Sequence, residues 1–512
     1  MGFIKKYRLE ILASLIITLL YFFFRLVYLT RLPIFTDEAI YLRWAQIALN
    51  DSAWRFISLT DGKQPMYVWF AMVFMKFIND PLLAGRLVSV FSGFFTMIGV
   101  WFLTYELFRN KKTAFLTSIL YIFYPFAQVY DRMALMDGMV GTFAVWSLYL
   151  SILLVRKIKP EIAYSLGFVI GAGILTKTSD FFSIYLLPIT LVLFDFKSML
   201  LRQRLIRWAL FALFAVGISQ IFYSVLRLSP LFQMISIKNA TFVFPFSEWI
   251  LHPFTFLAGN LSGLFSWLIQ YLTIPYIILI LLSLVLINKY FKEKALLFMY
   301  FLLPLIALAL FGKLIYPRHI FFMTLFLLPL ASWSLNFIID FFRYKLKLNK
   351  SLYLRYLTVF IIVVVFAAYP GFVSLQFAFD PVNARIANSD SDQYANSWAA
   401  GWGVKESVVF FKQEAQKGKI FIATEGTFGL MPETMEMYLV RNPNVKIKGY
   451  WPIDNMLPKE ALDYAKKMPS YFIFYQPQHI VIPPDFPLKL LFQIREGNSN
   501  YFYRVYQILP QK

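Results

Sequence analysis

The chain has 512 residues, 59% hydrophobic, 20% aromatic and only 15% charged, with a mean hydropathy of +0.62. A soluble protein cannot hide that much apolar surface, so the composition excludes a wholly soluble chain and predicts several membrane spans. The net charge of +21 does not point to nucleic acid, because residues 1–369 hold 34 basic and 15 acidic side chains while residues from Asp380 onward hold 15 and 13; the excess sits between apolar runs, where loop asymmetry accounts for it.

In chain order, Lys5-Lys6 followed by Ile11–Leu29 resembles the start of a signal peptide. Its apolar run is too long and no small-residue cleavage site follows, which predicts an uncleaved first span. Runs long enough to cross ~30 Å of hydrocarbon fall near 11–29, 82–106, 113–129, 138–155, 162–176, 181–195, 206–226, 266–287, 295–312, 319–339 and 352–369. The links between them alternate in charge. One set (around Arg8, Lys111, Lys157, Arg204, Lys292 and Lys345) carries 21 basic and 6 acidic residues, whereas the link 30–81 has five of each. The positive-inside rule puts the first set and the N-terminus in the cytoplasm and the C-terminal domain outside. Residues 247–264 are expected to form an interfacial or re-entrant helix ahead of a single span.

The link 30–81 has structure of its own. Asp37–Leu49 and Met66–Phe77 show helical spacing and suit helices on the membrane surface, bracketing the turn Asp61-Gly62-Lys63-Gln64-Pro65. After Tyr369-Pro370-Gly371, strand-like segments at 419–424, 471–475 and 502–508 alternate with helical patterns at 405–416, 434–440 and 458–467. The expected fold is therefore a polytopic α-helical membrane protein of about 11 spans (1–369) with a small C-terminal extracytoplasmic α/β domain (370–512).

Candidate chemistry begins at Asp37 and Glu38, adjacent acids beside a span in a chain where acids are scarce. They read in two ways: Thr36 or Asp37 caps the following helix, or the pair is the acidic half of a membrane-edge site. The second reading gains from the ionisable residues expected at the same ends of the spans: Arg25, Arg86, Asp131, Arg132, Asp137, Lys177, Asp180, Lys313, Arg318 and His319. Charges there are expensive, and a phosphate-handling site gives them a reason: cations hold the phosphate while a carboxylate takes a proton from an attacking hydroxyl. Asp131 with Arg132, and Lys177 with Asp180, also read as simple local pairs. Lys63 stands in the glycine turn. Without cysteines there are no disulfides or thiolate metal sites; His252 and His319 are the weak metal candidates, and no metal site is assigned. No phosphate-binding glycine loop or Ser–His–Asp arrangement is present.

Several motifs together resemble the GT-C superfamily of glycosyltransferases, and within it the protein O-mannosyltransferases and the aminoarabinose transferases of lipid A (glycosyltransferase families 39 and 83). They are Pro33-x-x-x-Asp37-Glu38-x-x-Tyr41, Gly62-Lys63-Gln64-Pro65-Met66-Tyr67-Val68-Trp69, Ala84-Gly85-Arg86-Leu87-Val88-Ser89, Asp131-Arg132-Met133-Ala134-Leu135-Met136-Asp137-Gly138, Leu175-Thr176-Lys177, and Tyr316-Pro317-Arg318-His319 with Pro329 after it. The resemblance covers about residues 20–335. It implies transfer of a sugar from a polyprenyl-phosphate donor to an acceptor protein, lipid or glycan on the outer face, with membrane lipids around the site and no nucleic acid. Asp37 would be the catalytic base with Glu38 supporting it, Lys63, Arg86, Arg132, Lys177 and Arg318 would contact donor phosphate, and Asp137 would orient. Gln64 and Gly138 replace usual prolines. Gly62 stands where the aminoarabinose transferases carry an acid linked to metal binding, so no cofactor is carried over. The competing classes are a secondary transporter, which should show internal repeats and mid-span polar residues, and a non-catalytic glycan-binding protein on the same fold.

Overall fold

The computed structural model describes residues 6–511 except 198, 287–288, 347–351, 455 and 480; Lys5, Lys347 and Lys350 of the basic links lie outside the described residues. Among the described residues, eight helices are long and apolar enough to cross a membrane: Arg8–Leu26, Pro81–Phe108, Met136–Lys157, Leu201–Leu228, Leu257–Val285, Phe291–Phe311, Phe321–Lys345 and Tyr353–Phe379. The expectation of a polytopic helical membrane protein with a small C-terminal α/β domain is borne out. Three of the eleven expected spans are shorter than a full crossing. Residues 113–129 split into Lys111–Phe123 and Pro125–Tyr130 because Pro125 starts a new helix. Pro160–Thr176 has 17 residues, and Thr178–Leu193 alternates between tight and regular turns.

Local chemistry sets the ends. Asp80 accepts from Leu83 N–H at 2.7 Å ahead of Pro81 at the first helical position, and Asn110 caps the next helix through Lys112 N–H at 2.9 Å. The interfacial or re-entrant helix expected at 247–264 begins later: a short turn at Phe246–Trp249 is followed by the stretch Leu257–Val285, which is two helices joined across a kink where Thr273 takes φ 60°, two residues before Pro275. The last long helix runs through Pro370 to Phe379, beyond the composition break near 369.

The links expected on opposite sides gather at opposite ends of the bundle. At one end Lys111 meets Glu10 at 3.1 Å, and Arg156 meets Glu106 at 2.8 Å and Glu293 at 3.6 Å. At the other end lie Thr36–Asn50 and Met66–Met75, the two expected helices of the 30–81 link, and the C-terminal domain packs there. That domain holds a five-stranded sheet, ordered β4 (Val445–Tyr450), β3 (Ile420–Glu425), β5 (Ser470–Phe474), β7 (Phe502–Ile508), β6 (Leu488–Arg495). β3 runs parallel to β4 and β5, and β7 antiparallel to β5 and β6. A second, two-residue pairing joins the domains: β1 (Ile34–Phe35) lies antiparallel to β2 (Ala400–Gly401).

Candidate active site

The Asp37 segment is fixed from both sides before any chemistry is considered. Thr36 donates its N–H and its hydroxyl to Ala399 O, at 3.2 and 3.1 Å. Glu38, the third residue of the helix, accepts from Phe35 N–H at 2.9 Å, so Glu38 satisfies the helix start rather than Thr36 or Asp37. Its carboxylate also takes Arg86 Nε at 2.9 Å, Arg86 Nη2 at 2.8 Å and Ala134 N–H at 2.6 Å. Arg86 spends its remaining donors on the carbonyls of Leu29, Leu32 and Pro33, each at 2.9 Å. Both side chains are 0% exposed. A fully satisfied buried ion pair has nothing left for substrate, which revises the expected roles of Glu38 in catalysis and of Arg86 at the donor phosphate: together they clamp the peptide that carries Asp37.

Other expected site residues are also consumed internally. Arg132 donates to the carbonyls of Phe24, Arg25 and Tyr28, ending the first helix. Arg25 pairs with Asp131 at 2.9 Å, and Tyr121 donates to the same carboxylate at 3.0 Å. Asp131 and Arg132 are therefore not a local pair; both reach back to the first helix. The Asp180 carboxylate accepts from the Ser183 hydroxyl at 3.2 Å, whereas the Lys177 ammonium pairs with Asp137. His252 is exposed on the surface, away from the role considered for it beside His319.

The remaining residues converge. A cavity of about 440 Å³ is lined by Lys63, Asp137, Lys177, Arg318 and His319 together with the rings of Phe181, Phe182, Phe242, Phe311 and Phe322. Of the lining residues, Arg318 Nη1 lies 2.6 Å from Asp37 Oδ2, and Lys177 Nζ lies 2.6 Å from Asp137 Oδ1. Lys63 stands 5.3 Å from the Phe242 ring centroid, held by the turn in which Gly62 takes φ 64°. A Cβ at Gly62 would sit 2.3 Å from Met234 O, so only glycine fits. Gln64, in place of the proline usual in the motif it resembles, donates to Thr178 Oγ1 at 2.6 Å and so ties the turn to another lining residue of the cavity.

Electrostatics divide the labour. Burial pushes the Asp37 carboxyl up, but Arg318, then Lys63 and Lys177, outweigh it and hold it below the usual carboxylate range. Burial pulls Lys63 down to about 8, against the attraction of Asp37 and with the repulsion of Arg318, Lys177 and Lys238. His319 is driven well below its ordinary value by burial and the same cations. Its Nδ1 accepts from Tyr316 N–H at 3.3 Å, which leaves Nε2–H as the donor. Among the described residues no cluster of three or more His, Asp or Glu could hold a metal ion.

Two parts of the site were not expected. Lys238 lines the cavity and pairs with Asp61 at 2.6 Å; it lies in a stretch without a strong pattern. Tyr41 also lines it, one turn after Asp37, and its place in the Pro33–Tyr41 motif was the available signal.

Residues 62–224 match the family described as dolichyl-phosphate-mannose-protein mannosyltransferase. No curated protein matches the sequence. Among solved structures, apo ArnT from Cupriavidus metallidurans has a TM-score of 0.62 at 13% identity, over 98% of this chain and 99% of that one. ArnT bound to undecaprenyl phosphate has a TM-score of 0.53 at 14% identity, over 99% and 100%. The apo oligosaccharyltransferase of Archaeoglobus fulgidus has a TM-score of 0.58 at 13% identity, over 93% of this chain and 70% of that chain. At such identities the structures speak for fold alone, and together with the family match they bear out the GT-C resemblance read from the motifs.

Proposed function

We propose that this protein is a membrane glycosyltransferase that moves a sugar from a polyprenyl-phosphate donor to an acceptor hydroxyl on the extracytoplasmic face. The observation that carries the reading is the 2.6 Å pair of Asp37 with Arg318, a residue that lines a cavity furnished with both cations and aromatic rings. An amphipathic donor needs both kinds of lining: its isoprenoid tail suits Phe181, Phe182 and Phe311, and its phosphate suits Lys63, Lys177 and Arg318. The orientation rests on the basic links gathering at the end away from the site.

In this reaction the acceptor oxygen attacks the anomeric carbon and its proton passes to Asp37. The bond from that carbon to the phosphate oxygen breaks, and the electron pair leaves with the polyprenyl phosphate, which gains one negative charge. Arg318 occupies Asp37 Oδ2, so Oδ1 is the oxygen available to the acceptor. Lys63, Lys177 and the His319 Nε2–H stabilise charge on the departing phosphate. Asp37 is ionised at neutral pH because its cationic neighbours outweigh its burial, as a base must be. Glu38 and Arg86 hold the base in place, and Asp137 orients Lys177.

The test is sugar release and transfer from a panel of synthetic polyprenyl-phosphate sugars. Asp37→Asn is expected to lower the rate roughly 10²–10⁴-fold while the protein stays folded; a near wild-type rate would remove Asp37 from the base role.

A further inference from the structure

A second, smaller cavity of about 240 Å³ opens where the membrane half meets the C-terminal domain. Arg43, Gln46 and Asn50 of the helix Thr36–Asn50 line it from one half. Met437, Tyr438 and Arg441, in and just after the helix Glu433–Leu439, line it from the other. Spacings of three and four put Arg43, Gln46 and Asn50 on one side of their helix. At about 100° per residue, Arg43 stands roughly 160° round that helix from Tyr41, which lines the large cavity. The two cavities therefore flank the same helix on opposite sides.

This smaller cavity offers donors and no acid. Arg43 gives only its Nε to the protein, at 2.9 Å from Glu436 Oε2. Its two Nη groups have no partner among the described residues. They are nonetheless open to solvent, although the side chain is only 15% exposed, and the cavity that Arg43 lines is their way out. Arg441 is exposed and makes no hydrogen bond or ion pair among the described residues, and the Tyr438 hydroxyl has no hydrogen-bond partner there either. The amides are already spent on the wall: Gln46 Nε2 donates to Met437 O at 2.9 Å, joining the two helices, and Asn50 Nδ2 donates to Gln46 O at 2.7 Å. Two guanidiniums thus share one cavity, and a carboxylate answers only the Nε of one. An anion completes such an arrangement.

We propose that this cavity is a second ligand site, which takes a phosphate monoester and bridges the two halves of the protein through it. A guanidinium tied at Nε and free at both Nη groups presents a planar fork to two phosphate oxygens. Arg441 and the Tyr438 hydroxyl come from the C-terminal domain for the third. A carboxylate, with two oxygens and one charge, leaves one of these groups unanswered. The rest of the space takes the hydroxyl-bearing skeleton to which the phosphate is attached. That phosphate arrives on a lipid headgroup or on a soluble ester. Once bound, it holds the helix Glu433–Leu439 against the helix that carries Asp37 and leaves the donor cavity free.

The test uses the full-length protein in phosphatidylcholine nanodiscs and two probes. In the soluble arm, glycerol 3-phosphate is titrated in and its binding is read by phosphorus NMR line broadening. In the lipid arm, the nanodiscs are doped with phosphatidic acid and native mass spectrometry reads how much of it the protein retains. Binding of glycerol 3-phosphate assigns a soluble ester, and retention of phosphatidic acid alone assigns a lipid headgroup; each supports the site. Arg441→Gln removes no hydrogen bond or ion pair described within the protein, so it is expected to leave the melting temperature unchanged and to weaken binding roughly tenfold or more. Arg43→Lys keeps a cation for Glu436 but loses the fork, and weakens binding likewise. Lys63→Met, in the donor cavity, leaves it unchanged. The inference is overturned if neither probe binds the wild type, if Arg441→Gln and Arg43→Lys bind like the wild type, or if Lys63→Met abolishes binding. Sugar transfer is not part of the readout, so failure here leaves the glycosyltransferase reading intact, and failure of that reading leaves this site intact.

Discussion

Replacing Arg86 by lysine preserves charge and discards geometry, which makes it a sharp probe of the clamp behind Asp37. Arg86 uses all five of its N–H donors: two on Glu38 and three on the carbonyls of Leu29, Leu32 and Pro33, every one between 2.8 and 2.9 Å. A lysine ammonium has three donors, so at least two of those five hydrogen bonds are lost, even though the Glu38 oxygens keep Phe35 N–H and Ala134 N–H. At about 1.5–3 kcal/mol for each hydrogen bond that involves a charged group, Arg86→Lys is expected to cost about 3–6 kcal/mol, although it is the conservative change. Arg86→Gln leaves the Glu38 charge buried without a cation and is expected to cost about 3–5 kcal/mol. Adding Glu38→Gln to it should recover part of that loss. Unfolding in mixed detergent micelles measures the stabilities, and the double-mutant cycle measures the coupling. If Arg86→Lys costs under about 1 kcal/mol, or if the Gln variants add within about 0.5 kcal/mol, the clamp does not hold this segment.

Two further predictions concern the phosphate end. Because burial pulls Lys63 down to about 8, its contribution to anion binding is present below that pH and lost above it. Affinity for undecaprenyl phosphate, read by thermophoresis, should fall as pH rises through about 8, and Lys63→Met should abolish that step; a wild-type affinity flat across it would refute the role. Gly62→Ala forces φ 64° on a residue with a Cβ that would lie 2.3 Å from Met234 O. It should destabilise by at least about 1 kcal/mol and raise the donor KM by moving Lys63, whereas an unchanged KM would show that the turn does not set the position of Lys63.

The sequence disclosed this architecture where physics is local. Apolar runs, charge alternation and the glycine turn at Gly62 each signal within a few residues, and the helices Thr36–Asn50 and Met66–Met75 formed where their spacing put them. Partnerships across the bundle were hidden. Asp131 beside Arg132 and Lys177 beside Asp180 looked like pairs, yet Asp131 is claimed by Arg25, 106 residues away, and Lys177 by Asp137, 40 away. Glu38 read as support for the base and Arg86 as a donor-phosphate contact because a motif names residues without saying which way they face. The strands β4 and β6 escaped notice because they are sheet edges, where Lys446, Lys448, Lys489 and Arg495 interrupt the apolar pattern as edges require. Asp390, buried in the C-terminal domain, gave no signal at all: its partners Tyr271 and Tyr130 stand 119 and 260 residues away.

The two-residue pairing of Ile34–Phe35 with Ala400–Gly401 also sets a clock on biogenesis. The peptide leading into Asp37 leaves the ribosome early, but its partner strand is 367 residues further on, by the Ile34–Gly401 register. At about 5–20 residues per second, the ribosome needs on the order of 20–70 seconds to deliver it. Throughout that interval the inserted helices lack the strand that fixes Thr36, and the Arg318 that grips Asp37 arrives only late in the same window. Until synthesis has passed Gly401, a nascent chain therefore lacks the pairing that ties Ile34–Phe35 to the C-terminal domain.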